Sequence, residues 1–144
     1  MKIKHLFEMI IGCVGAMISE LFGIGKGLLI TLLILMLCDY VTGLICAGIF
    51  KKSKKSKSGS LNSRIGFKGL AKKAVTLIII ITAKCFDNLL DVNYVAELTI
   101  IAYIINESIS IIENAGLIGI PIPDFLKKSI DVLSEKINEK ENEK

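Results

Sequence analysis

A 24-residue run, Gly27 to Phe50, is apolar almost throughout and is followed at once by a cationic block. About 20 such residues in a helix match the hydrocarbon thickness of a bilayer. Residues 51–73, KKSKKSKSGSLNSRIGFKGLAKK, hold nine of the chain's 18 Lys and Arg and no Asp or Glu. An apolar span ending against such a block reads as a membrane crossing anchored on the cytoplasmic side, because insertion retains Lys and Arg inside. Asp39, near the middle of the run, is the anomaly. A carboxylate at mid-bilayer costs about 2.5–3.5 kcal/mol on insertion scales, so it needs a partner or water.

Composition agrees with the membrane class: 52% of residues are hydrophobic and the mean hydropathy is +0.61. A net charge of +4 and a pI of 8.9 raise nucleic acid as a partner. The basic block abuts apolar segments, however, and its one aromatic is Phe67, so it lacks the stacking platforms that single strands need. Anionic lipid headgroups suit the charge better. Cys13, Cys38, Cys46 and Cys85 lie inside apolar segments without Cys-x-x-Cys or Cys/His spacing, which supports neither a zinc site nor a disulfide framework. They read as small packing residues. His5, beside Lys2 and Lys4, reads as a solvated or headgroup residue. Phosphate loops, nucleophile elbows and zinc-protease motifs are absent from the sequence, so no enzyme, cofactor or metal is expected.

The hydropathy pattern predicts four membrane helices over residues 1–112, with the basic loop 51–73 cytoplasmic. The first runs from about Leu6 to Ile24. Its positive lead resembles a signal peptide, but no hydrophilic region follows, so it reads as a retained span. Gly12, Ala16, Ser19, Gly23 and Gly27 recur along it at helical spacing, a small-residue face of the kind that lets helices approach in lipid. A tight turn at Gly25 and Lys26 leads to the second span. The third runs from Ala74 to Leu90, and the link Asp91-Val92-Asn93-Tyr94 leads to the fourth, Val95 to Ile112. Both termini then fall on the cytoplasmic side. A three-span rival lays the first segment on the membrane surface, because Glu20 and several glycines weaken it. Residues 113–144 read as a connector broken by Pro121 and Pro123, then a cytoplasmic amphipathic helix with Leu126, Ile130, Leu133 and Ile137 on one face, then a charged tail. That helix is expected against a neighbouring subunit or the basic loop.

Ionisable residues among the apolar spans are the candidate functional residues: Glu20, Asp39, Lys84, Asp87, Glu97 and Glu107. Asp39 lies 11 residues from Phe50 and Lys84 lies 10 from Ala74, which puts both about 15 Å inside the boundary and makes an Asp39–Lys84 pair geometrically available. Asp87, one turn away, competes for the same ammonium. Tyr103, Glu107, Ser110 and Asn114 share one face of the fourth helix. Two uses are open for these charges: helping marginal helices insert and dock, or facing a subunit interface or wet lumen.

Three stretches carry a family likeness: Asp39-Tyr40-Val41-Thr42-Gly43, the loop LNSRIGFKGLAKK from Leu61 to Lys73, and NESISIIENAGLIGIPIPDFLKK from Asn106 to Lys128. In these the chain resembles the small phage-lysis and toxin-secretion holins of Gram-positive bacteria, including those encoded beside large clostridial toxins. In the loop the matching residues include Arg64, Gly66, Phe67, Lys68, Gly69, Lys72 and Lys73. The resemblance implies a cytoplasmic-membrane protein that oligomerises with itself and forms lesions through which an endolysin or large toxin leaves. An antiholin that joins and blocks such assemblies is the alternative, with a small ion or solute transporter as a third reading. Pure topology does not require the Gly66-Phe67-Lys68-Gly69 motif. Leu61 to Lys73 is therefore expected to be ordered against helix ends or the C-terminal helix, and Lys51 to Ser60 mobile.

Overall fold

A computed structural model of the chain describes residues 2–23, 26–55, 58 and 62–142. They form five helices: α1 (Lys2–Gly23), α2 (Lys26–Gly48), α3 (Ser63–Leu90), α4 (Val95–Leu117) and α5 (Asp124–Asn142). The described residues contain no strand. The expected turn at Gly25 lies outside them, as do parts of the segment Lys51 to Ser60.

Three boundaries follow from local chemistry. Asn62 is extended, with φ −133° and ψ 117°, and its side chain accepts from the Arg64 N–H at 3.0 Å, so α3 starts at Ser63. This is an N-cap, and it starts the helix 11 residues before Ala74. Half of the presumed basic loop is thus helical, because Lys, Arg, Leu and Ala favour helix and Gly66 and Gly69 each cost only about 1 kcal/mol. At the far end Asp91 adopts the left-handed conformation at φ 52° and ψ 46° and its N–H returns to the Asp87 carbonyl. The short link to α4 follows, as expected from the sequence. α4 continues past Ile112 to Leu117, and Gly119 at φ +86° lets the Ile120 N–H reach the Ala115 carbonyl at 3.0 Å. Only a glycine takes that φ without strain.

α2, α3 and α4 pack around Leu32 and Met36 of α2, Ile80 and Ala83 of α3, and Ala96, Ile100 and Ile104 of α4. The two alanines face larger side chains and let the axes approach. α1 makes sparse contacts with α3 and α2. α5 folds back onto α4, where buried Ile130 meets Ile105, flanked by Leu98, Ile101 and Ile112. Within the chain the amphipathic helix therefore docks on α4 rather than on the basic loop. Of its expected apolar face, Leu126 and Leu133 remain 41% and 40% exposed, so Ile130 alone is the anchor among the described side chains; that of Ile137 lies outside them.

Two segments, Gly27–Gly48 and Val95–Leu117, are long and apolar enough to cross a membrane. Only 22% and 28% of their most apolar windows are buried. Core helices of soluble domains are mostly buried; here Ile30, Leu33, Ile34, Leu37 and Val41 of α2 point outward, as lipid contact requires.

Candidate functional site

Asp39 finds its partner in Lys73, not Lys84. The Lys73 ammonium donates to Asp39 Oδ2 at 3.0 Å and to Glu107 Oε2, bridging α2 and α4 from α3. The side chains are withdrawn from solvent: Lys73 is 14% exposed and each carboxylate 9%. Moving the start of α3 from Ala74 to Ser63 shifts the matched position by 11, from Lys84 to Lys73. Asp39 then lies nine residues from Gly48 and Lys73 ten from Ser63.

Asn114 completes the network. Its amide donates to Asp39 Oδ1 and to Thr42 Oγ1, both at 3.2 Å, while the Thr42 hydroxyl donates to the Asp39 carbonyl at 3.1 Å. Gly43 and Gly66 pass beside the network at ordinary contact distance: a Cβ on Gly43 would sit 3.8 Å from Asn114 Nδ2, and one on Gly66 would sit 3.7 Å from the Tyr40 hydroxyl. Among the described residues no buried side-chain polar atom lacks a hydrogen-bond partner, which is what makes ionised groups tolerable in an apolar surround. Formally the cluster holds two negative charges and one positive.

Two recesses border the network. One of about 120 Å³ lies between Tyr40, Gly43 and Ala47 of α2 and Asn62 and Gly66 at the start of α3. The other, about 670 Å³, runs between α3 and α4 and includes Lys72, Lys73, Tyr103, Glu107 and Ser110. The polar face expected on α4 therefore lines this groove and ends in the cluster at Asn114.

The remaining candidates do other things. Asp87 does not compete for a lysine. It is buried, and its two carboxylate oxygens accept from the Val95 and Ala96 N–H groups at 2.8 and 3.0 Å, so a residue of α3 caps α4. Lys84 forms no ion pair among the described residues and is half-buried. Glu97 is exposed in the first turn of α4, where a carboxylate complements the helix dipole. The Glu20, Ser19 and Gly23 side-chain positions lie outside the described residues. Gly12 and Gly27 face open space and Ala16 is exposed, so these three positions of the small-residue stripe are unused within one chain. Arg64, Phe67, Lys68 and Lys72 are exposed, and Gly69 is half-buried beside both recesses. Pro121 and Pro123 stand in the connector between α4 and α5.

Thus Asp39-Tyr40-Val41-Thr42-Gly43, the 62–73 segment and the helix carrying Asn106 to Asn114 meet at one point, although they are far apart in sequence. A sequence model of the Bacteriophage holin family matches residues 16–135. The chain belongs to this family. A probable holin of Bacillus phage phi105 is 34% identical to it over 114 residues, 78% of each chain. An uncharacterised 14.9 kDa protein encoded in the nagH 3′ region of Clostridium perfringens is 40% identical over 124 residues, covering 85% of this chain and 88% of that one. An uncharacterised protein of C. perfringens strain 13 is 38% identical over 126 residues, 86% and 87% of the two chains. No solved structure matches. Family membership and two membrane-capable helices support a cell-membrane protein of the kind connected with phage lysis. Holins generally oligomerise there and are generally not enzymes.

Proposed function

We propose that the chain is a four-span holin, with both termini cytoplasmic, that assembles with copies of itself into a membrane lesion releasing an endolysin or a large toxin. The observation that carries the reading is the Asp39–Lys73–Glu107 bridge in a bundle whose outer faces stay apolar. Such a bundle can insert singly, yet it carries charge at its centre that a wet assembly can use. The small-residue stripe, open at Gly12, Ala16 and Gly27, offers a surface for contact between copies. The cationic segment faces anionic headgroups on the cytoplasmic side. Asp39, Glu107 and Lys73 are interface or lumen residues in this reading; Lys84, Asp87, Glu97 and Glu20 are supporting charges.

Inducible expression in a Gram-positive host tests it. Abrupt growth arrest with leakage of a cytoplasmic reporter enzyme is the expected result. Silence alone, coupled with delayed lysis beside a second holin, would make the chain an antiholin. Saturable flux of a small solute with the reporter retained would make it a transporter.

A further inference from the structure

The groove between α3 and α4 carries more cation than the charge cluster consumes. Lys55, Lys68, Lys72 and Lys73 all line it, against the carboxylates of Asp39 and Glu107. Lys73 is held by those two carboxylates. Lys55, Lys68 and Lys72 form no ion pair among the described residues and are exposed. Lys68 and Lys72 stand four apart on one face of α3, an arrangement that costs about 0.2–0.5 kcal/mol in an isolated helix when nothing anionic lies between them. Lys55, 13 residues earlier and in no helix, comes back to the same groove. Neutral donors, Asn106 and Ser110 of α4 and Thr76 of α3, line the wall beside them.

We infer that this groove is a binding site for a single phosphate group, held by Lys55, Lys68 and Lys72 with the α4 amide and hydroxyl as neutral donors. Its size, about 670 Å³, exceeds one phosphate and accommodates the glycerol portion of a phospholipid as well. Basic pockets between membrane helices on the cytoplasmic side hold lipid headgroups by this chemistry. The inference deepens the proposed contact with anionic headgroups by giving it one address, and it does not depend on lesion formation.

The test uses the full chain purified in detergent, with native mass spectrometry reading the retention of phosphatidylglycerol against phosphatidylcholine. Phosphatidylglycerol is expected to be preferred. K68Q/K72Q is expected to weaken its retention about 25-fold, at about fivefold per lysine, while K68R/K72R and K51Q/K52Q retain it. The Arg pair separates loss of charge from loss of folding. Displacement of the lipid by inorganic phosphate supports a site open to phosphate from either source; retention in its presence supports a site specific for the lipid headgroup. Equal weakening by K51Q/K52Q would leave general adsorption standing and remove the site. No preference for phosphatidylglycerol would remove both.

Discussion

At the scale of single residues, the bridge and the cap make opposite demands on a carboxylate. Lys73 is the one described cation between Asp39 and Glu107. Lys73→Met is therefore expected to leave two carboxylates facing each other and to cost about 3–5 kcal/mol, read as a lower unfolding midpoint in detergent. Lys73→Met with Asp39→Asn should recover part of the loss. Lys84→Met should change the midpoint little; a loss equal to that of Lys73→Met would show the pairing to be misassigned. Asp87→Ala strips the acceptors from two α4 N–H groups and is expected to cost about 1–3 kcal/mol, with Asp87→Asn milder because one oxygen remains. Slow hydrogen exchange at Val95 and Ala96 in the wild type, lost in Asp87→Ala, checks this. The need of Asp39 for a partner was legible in the sequence, since that cost is local. The identity of the partner depended on Asn62, one polar residue inside a basic block, and nothing in the block's composition marks it as the start of a helix.

Helix lengths and docking belong to the next scale. The apolar runs of α2 and α4 were plain from hydropathy, and the Asp91–Tyr94 link from its turn residues. The docking of α5 was not. Its amphipathicity is visible, but the α4 face it covers, Leu98, Ile101, Ile105 and Ile112, reads the same as a face meant for lipid. Ile130→Asp places a carboxylate against Ile105 and is expected to free α5, so that a protease added to the purified chain cuts at Lys127 or Lys128 much faster than in wild type. A cysteine pair at Ile105 and Ile130, in a chain with the native cysteines replaced, is expected to cross-link. Unchanged proteolysis together with no cross-link would place α5 elsewhere.

For the whole molecule the open quantity is topology. With four spans, a cysteine at Asn93 is expected to react with a membrane-impermeant maleimide in intact cells, while a cysteine at Lys52 reacts only after permeabilisation. Labelling of a cysteine at Lys2 in intact cells would favour three spans. The family-like stretches were recognisable in the sequence as separate motifs. That they form one site is a tertiary fact, produced by the pairing of α2, α3 and α4 and invisible to any local pattern.

The return of α5 along α4 changes what that part of the molecule is wetted by. Where α4 alone would offer Ile105 and Ile112 to acyl chains, the docked helix offers a mixed face, with Lys127, Lys128 and Asp131 exposed beside Phe125, Val132 and Leu133. One buried isoleucine thus clips a partly charged surface onto a greasy wall. The same stretch of helix can present a wholly apolar wall or a partly charged one, with no change in its own residues.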